Sequence, residues 1–211
     1  MHFFNHHYKN TIKPDFLIKF KYKNIFLTPK IEKIILNFGI KEVNFKNLLP
    51  TLASLELITN QKAALTCSKM ANISLKIRKG VPVGCKVTLR KVNMSLFLTK
   101  LILLIFPTIK LFEGIIFKKS IEQYKSFSFC LDEALIFSEL EHQYDLFKSL
   151  PKLDISITTH VNSIQELNNL LTSYRFPVKI VCESNSTVEC NLAKVEVEGS
   201  NPFFRLNFMG K

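Results

Sequence analysis

Apolar positions along the chain fall into alternating blocks of two periods. Tyr8–Lys21 places Ile12, Phe16, Leu17 and Phe20 at helical spacing, with Pro14 near the start. Ile31–Ile40 contains IILNFGI, a β-rich run ending near Gly39. Phe45–Ile58 carries Leu48, Leu49, Leu52, Leu55 and Ile58 on one stripe and reads as a helix, and Ala63–Cys67 reads as a short strand. Residues 68–80 are polar and basic and end in Gly80, the mark of an exposed loop or ribbon.

Past that loop, Val81–Lys91 alternates strictly. Val83, Cys85, Val87 and Leu89 form one face; Gly84, Lys86, Thr88 and Arg90 form the other. Asn93–Phe106 reads as an apolar helix ended by Pro107, and Phe127–Leu131 and Leu153–Thr159 as strands. Ser163 followed by Glu166 makes a capping-box pattern ahead of Ile164, Leu167, Leu170 and Leu171. After Pro177 a strand-rich tail is expected.

Strands and helices mix without regular βα alternation. The expected fold is therefore α+β: a mostly antiparallel sheet with helices packed on one face and the other face open. The 81–91 alternation puts Lys86, Thr88 and Arg90 on that open side. Short polar and cationic side chains on a flat sheet suit RNA, since hydroxyls and amides make directed hydrogen bonds while Lys and Arg neutralise phosphates.

Charge sharpens this picture. The net charge is +12, but residues 1–125 hold 22 Lys+Arg against 6 Asp+Glu, and residues 126–211 hold 7 against 11. A basic half joined to a mildly acidic half points to a polyanionic partner, nucleic acid or an anionic membrane surface. Of 29 basic residues 25 are Lys, and Ile, Asn and Phe are abundant. All have A/T-rich codons, as expected of an A/T-biased genome such as an organelle's.

Five cysteines (67, 85, 130, 182, 190) form no CxxC pair, which argues against a disulfide framework and against zinc; mostly buried thiols in a reducing compartment are expected. MHFFNHHYKN has neither the Arg-rich character of a presequence nor a secretory apolar run, so synthesis inside an organelle is the expectation. The most apolar stretch, Leu96–Phe117, is interrupted by Lys100, Pro107, Lys110 and Glu113. Its longest uncharged piece is too short for a bilayer, and a soluble chain is expected.

Catalytic signatures are missing from the sequence. There is no Walker loop, GxGxxG, HExxH or GxSxG. His6–His7 reads as solvated terminus, Glu139, Glu141 and Asp145 as a solvated acidic connector, and Cys182 and Cys190 as paired strand positions. No cofactor, metal site or catalytic residue is expected.

PKIEKIILNFG (29–39), ITNQKAALTCSK (58–69) and above all IRKGVPVGCKVTLR (77–90) resemble the family of universal large-ribosomal-subunit protein number five. The resemblance continues through FPTIKLFEG (106–114), EALIF (133–137), LDISITTHVNSIQELNNLL (153–171) and FPVK (176–179). It implies a structural constituent of the large subunit that binds 5S rRNA and large-subunit rRNA in the central protuberance. It further implies neighbouring large-subunit proteins, P-site tRNA nearby and a small-subunit protein across an intersubunit bridge. By motif, Asn37, Gln61, Thr88 and Arg90 resemble the 5S rRNA contacts, with Lys62 and Lys86 beside them. The loop Lys69–Gly80, with Lys76, Arg78 and Lys79, resembles the segment that reaches toward tRNA.

Certain positions depart from the family. Lys41 stands where a glycine is usual and Glu113 where an arginine is usual, and IIFKKSIEQYKSF (115–127) lacks the usual glycines, so a different loop path is expected. Residues 1–179 are read as the family domain and 180–211 as a C-terminal extension able to form a β-hairpin. A mitochondrial ribosome is preferred to a plastid one. The competing readings are an RNA-processing or other basic RNA-binding protein outside the ribosome, and a peripheral membrane protein using Tyr8–Tyr22. The first needs a convergent acid/base or metal set. The second needs Phe16 and Phe20 to face a bilayer rather than the sheet.

Overall fold

The computed structural model describes residues 3–40, 45–109, 114–118 and 125–181. Its centre is a five-stranded, wholly antiparallel sheet built from β1 (Lys30–Gly39), β2 (Ala64–Cys67), β3 (Pro82–Leu89), β5 (Ser126–Leu131) and β6 (Leu153–His160), in the order β2-β3-β1-β6-β5. The other two strands, β4 (Ile115–Lys118) and β7 (Val178–Val181), form a separate parallel pair.

One sheet face is the core. Ile34, Leu36 and Phe38 of β1, Cys85, Val87 and Leu89 of β3, and Leu153, Ile155 and Ile157 of β6 are all buried. Each is an alternate residue of its strand, so the period-2 pattern sets which side faces inward. The helix Phe45–Thr59 packs on β3 and Lys91–Lys100 on β1. Leu48, Leu55 and Ile58 of the first, and Phe97, Leu98 and Leu101 in and just after the second, join the same cluster. The buried hydroxyls of Thr51 and Ser54 donate to the carbonyls of Leu48 (2.8 Å) and Thr51 (2.9 Å), which removes the cost of leaving them unpaired.

Helical residues begin at Phe3, earlier than expected, and run through a π-helical segment, Tyr8–Ile12, to Phe20. Ile12 and Phe16 are buried, Phe20 is half-buried, and Phe16 stacks on Phe20 at 5.6 Å. The aromatic side of this segment thus faces the protein. The second long apolar helix reaches Thr108, with Pro107 accommodated in the first turn of its last segment. Lys91–Thr108 is long and apolar enough to cross a bilayer by length and composition, which the interrupted sequence did not suggest. Phe97, Leu98, Leu101, Ile105 and Phe106 nevertheless pack into the core.

Ser163 caps the helix Ile164–Ser173 as expected, accepting from Glu166 N at 3.2 Å, while Glu166 Oε2 accepts from Asn162 N at 2.8 Å. Beyond it, Phe176 sits edge-on to Phe106 (5.2 Å) and Phe127 (6.0 Å). This anchors the chain just before β7, whose partner β4 lies far earlier in the chain. The strand β7 crosses the expected boundary at 179/180. Residues 182–211, with Cys182, Cys190 and the expected hairpin, lie outside the described residues, as do Lys41, Glu113 and residues 119–124 of the glycine-free loop. Of the three described cysteines only Cys85 is buried. Cys67 and Cys130 are exposed, because they sit on the two edge strands.

Candidate nucleic-acid interface

The sheet face opposite the helices carries three rows of side chains. Ala64, Lys86, Asn37, Asp154 and Cys130 stand opposite one another across all five strands. Two residues along, Thr88, Ile35, Ser156 and Ser128 form the second row. Lys33, Thr158 and Ser126 form the third. Arg90 follows β3 in an extended conformation (φ −137°, ψ 161°), so the alternation carries it to the same side.

Charge divides the face. Lys86, Arg90 and Lys33 stand on the β3–β1 side, and Lys86 and Arg90 are exposed. The β6–β5 side holds the hydroxyls of Ser126, Ser128, Ser156 and Thr158, with one acid, Asp154. That carboxylate accepts from Cys130 Sγ at 2.6 Å. Burial and then Asp154 push the Cys130 thiol up to about 11. Phosphates are favoured over β1–β3 and repelled near Asp154, while hydroxyls over β5–β6 can meet sugar or base edges.

Of the expected contacts, Asn37, Lys86, Thr88 and Arg90 share this face. Gln61, at the turn following the Phe45–Thr59 helix, is half-buried and engaged: its Nε2 donates to Thr88 O (3.2 Å) and its Oε1 accepts from Asn93 Nδ2 (3.4 Å). Lys62 beside it is exposed. Lys33, Ser156, Thr158 and Ser128 were not among the expected residues. Their signal was the polar half of the IEKIILN, LDISITTH and SFSFCL alternations.

The remaining expected residues lie apart, on the ribbon between β2 and β3. Its base is closed by Ser68 N to Val81 O (2.9 Å) and Gly80 N to Ser68 O (3.0 Å), with Gly80 at φ +86°. Its tip is closed by reciprocal 2.9 Å bonds between Asn72 and Ile77, and Lys76 takes the left-handed turn position (φ +54°). Lys69, Lys76, Arg78 and Lys79 are all exposed along it, together with Met70, Ile73 and Leu75.

Close approach of strands explains the glycine between the ribbon and Lys86. A Cβ on Gly84 would stand 2.3 Å from Phe38 O and 3.0 Å from Thr66 Oγ1. Only glycine lets β3 lie this near β1 at the end of the face.

Comparison with known proteins gives the same direction. Residues 82–178 match the model for the C-terminus of the ribosomal L5 family. The chain is 41% identical over 174 residues to large ribosomal subunit protein uL5m of Reclinomonas americana, covering 82% of this chain and 95% of that one. To uL5c of Oedogonium cardiacum it is 42% identical over 174 residues, with 82% and 95% covered. To uL5 of Buchnera aphidicola subsp. Cinara cedri it is 40% identical over 173 residues, with 81% and 95% covered. The cation-and-hydroxyl sheet face thus sits on a chain that belongs to the uL5 family, structural constituents of the large ribosomal subunit.

Proposed function

We propose that the open sheet face binds 5S rRNA, where the ribosome contains it, and adjoining large-subunit rRNA in the central protuberance. Asn37, Lys86, Thr88 and Arg90 make the contacts, with Lys33 beside them. The observation that carries this reading is the register that lines up Lys86 with Asn37, and Thr88 one row on, on a face whose side chains are exposed or half-exposed among the described residues. Arg90 grips phosphate bidentately, Lys86 neutralises it, and Asn37 and Thr88 supply donors and acceptors to base edges or a 2′-hydroxyl. Gln61 acts from behind by fixing the end of β3. Lys62 adds a charge at the rim.

The ribbon 68–80, with Lys69, Lys76, Arg78 and Lys79, reaches toward P-site tRNA in this reading. In this reading the chain also meets neighbouring large-subunit proteins and, across an intersubunit bridge, a small-subunit protein. The particle is an organellar ribosome, mitochondrial rather than plastid; the composition and the uL5m and uL5c relatives support an organelle. The chain performs no turnover.

Filter binding of the full chain to the rRNAs of its own genome across a salt series tests the central reading. About five neutralised phosphates give a log–log slope near −4. Arg90→Glu is expected to weaken binding strongly. A flat salt dependence, or full binding by that variant, overturns this face as the RNA site.

A further inference from the structure

Away from the sheet rows, the turn Ile25–Leu27 holds three consecutive apolar side chains in solvent: Ile25 is 57%, Phe26 92% and Leu27 40% exposed. Scattered exposed apolar residues are ordinary on a protein surface, but a run of three in one turn, with an aromatic ring fully presented, is not.

The turn is built rather than loose. Leu27 N donates to Asn24 O (3.1 Å), and the buried Thr28 donates from Oγ1 to Ile25 O (2.9 Å). On the chain's entry side, Tyr22 donates to Glu166 Oε1 (2.7 Å). On its exit side, the buried Pro29 offers its carbonyl to the Tyr8 hydroxyl (3.0 Å). Both ends are pinned to the body, so the Phe26 ring is held out at little entropic cost to a partner.

Its surroundings select the partner. Residues 19–30, KFKYKNIFLTPK, contain Lys19, Lys21, Lys23 and Lys30 and no acid, and all four are exposed. The strand leaving the turn is β1, which carries Lys33 and Asn37 onto the proposed RNA face. A lone ring among cations is what stacking on an unpaired base requires, with the lysines on flanking phosphates. A bilayer anchor requires a broad apolar face, and here Phe16 and Phe20 turn inward.

We propose that Ile25–Leu27 is a second RNA contact, in which Phe26 stacks on an unpaired base of the large-subunit rRNA and Lys21, Lys23 and Lys30 neutralise its backbone. This rests on the chain being an rRNA binder but uses none of the residues assigned to the sheet-face contact, so the two readings fail separately.

The test measures binding of the full chain to in vitro transcribed large-subunit rRNA from the same genome. Phe26→Ala is expected to weaken binding about 5- to 100-fold with an unchanged salt slope, since no cation is lost. Phe26→Trp restores it and Phe26→Leu does not. A benzoylphenylalanine at position 26 crosslinks to one or two nucleotides mapped by primer extension. Phe26 is solvent-exposed, so an unchanged melting temperature of the variants is expected and verifies folding. Wild-type binding by Phe26→Ala or Phe26→Leu overturns the proposal. So does a Phe26-dependent association with phosphatidylcholine–cardiolipin vesicles while RNA binding stays intact. Arg90→Glu is run in parallel: its neutrality would overturn the sheet reading and leave this one standing.

Discussion

Gln61 Nε2 donates to the main-chain carbonyl of Thr88 across 3.2 Å, tying the turn after one helix to the last residues of β3. Its Oε1 at the same time accepts from Asn93 Nδ2, on the helix that follows β3. The amide therefore couples three elements at the edge of the proposed RNA face, using a donor and an acceptor together. Gln61→Glu places a carboxylate oxygen against the Thr88 carbonyl. We expect a loss of about 1–3 kcal/mol from the repulsion and the broken bond, read as a lower urea midpoint. Gln61→Ala should cost about 1 kcal/mol. Gln61→Ala should leave the salt slope of RNA binding unchanged, whereas Lys86→Ala should reduce it by about 1.

Gly84 makes a sharper stability prediction. The site where its Cβ would stand is occupied by Phe38 O and Thr66 Oγ1, one of them main chain and unable to rotate away. Gly84→Ala must push β3 off β1 at the rung that also aligns Gly39. A loss of about 1–3 kcal/mol or more follows from overpacking at a site that cannot relax. The displaced register also disturbs the neighbouring Lys86–Asn37 rung, so rRNA affinity should fall with stability. A variant as stable as the parent in thermal melts would refute the close approach.

Those two residues mark what could and could not be read from the chain. The 81–91 strand was legible because strict alternation assigns every side chain to a face, and β3 does place Lys86 and Thr88 opposite Val87 and Leu89. The hydroxyls of β6 obey the same rule, but Ser156 and Thr158 draw attention only once β6 is known to lie beside β1. The β4–β7 pairing left no trace, since parallel partners so far apart share no turn or periodic signal. The inward role of Gln61 was hidden because a polar residue near a motif looks alike whether it meets RNA or a carbonyl. Nothing in the sequence singles out Ile25–Leu27, whose exposure is decided by tertiary pinning through Tyr22 and Tyr8.

Cys130 offers a chemical test of the hydroxyl side of the face. Although exposed, its thiol is pushed up to about 11, first by partial burial and then by the hydrogen bond and charge of Asp154. At pH 8 this leaves roughly a hundredth of the thiolate of an ordinary cysteine, offset in part by the greater nucleophilicity of a more basic sulfur. Iodoacetamide should therefore modify Cys130 about ten-fold more slowly than a solvent-exposed thiol of ordinary acidity. Asp154→Asn should accelerate it, as followed by mass spectrometry of the Cys130 peptide. An equal rate in the variant would show that Asp154 does not hold the thiol.

Lys100 and Glu139 join the apolar helix to the acidic connector, with Nζ 2.5 Å from Oε1, and Lys100 also donates to Ile58 O at 3.3 Å. Burial raises the Glu139 carboxyl, but the hydrogen bond and charge of Lys100, with further help from backbone and Ser138 donors, outweigh it and hold the group below the usual carboxylate value. A folded-state value lower than the unfolded one contributes stability above the unfolded pKa, and that contribution is lost as pH falls through the folded one. The pair is partly solvated, so its worth at neutral pH is about 1 kcal/mol or less. Glu139→Gln should lower the melting temperature slightly at pH 7, and the difference from wild type should close as the pH drops below about 4. Lys100→Met should cost more than Glu139→Gln at every pH, because it also orphans the Ile58 carbonyl. A difference between wild type and Glu139→Gln that stays constant from pH 7 down to about pH 3 would mean that the ion pair contributes nothing to the fold.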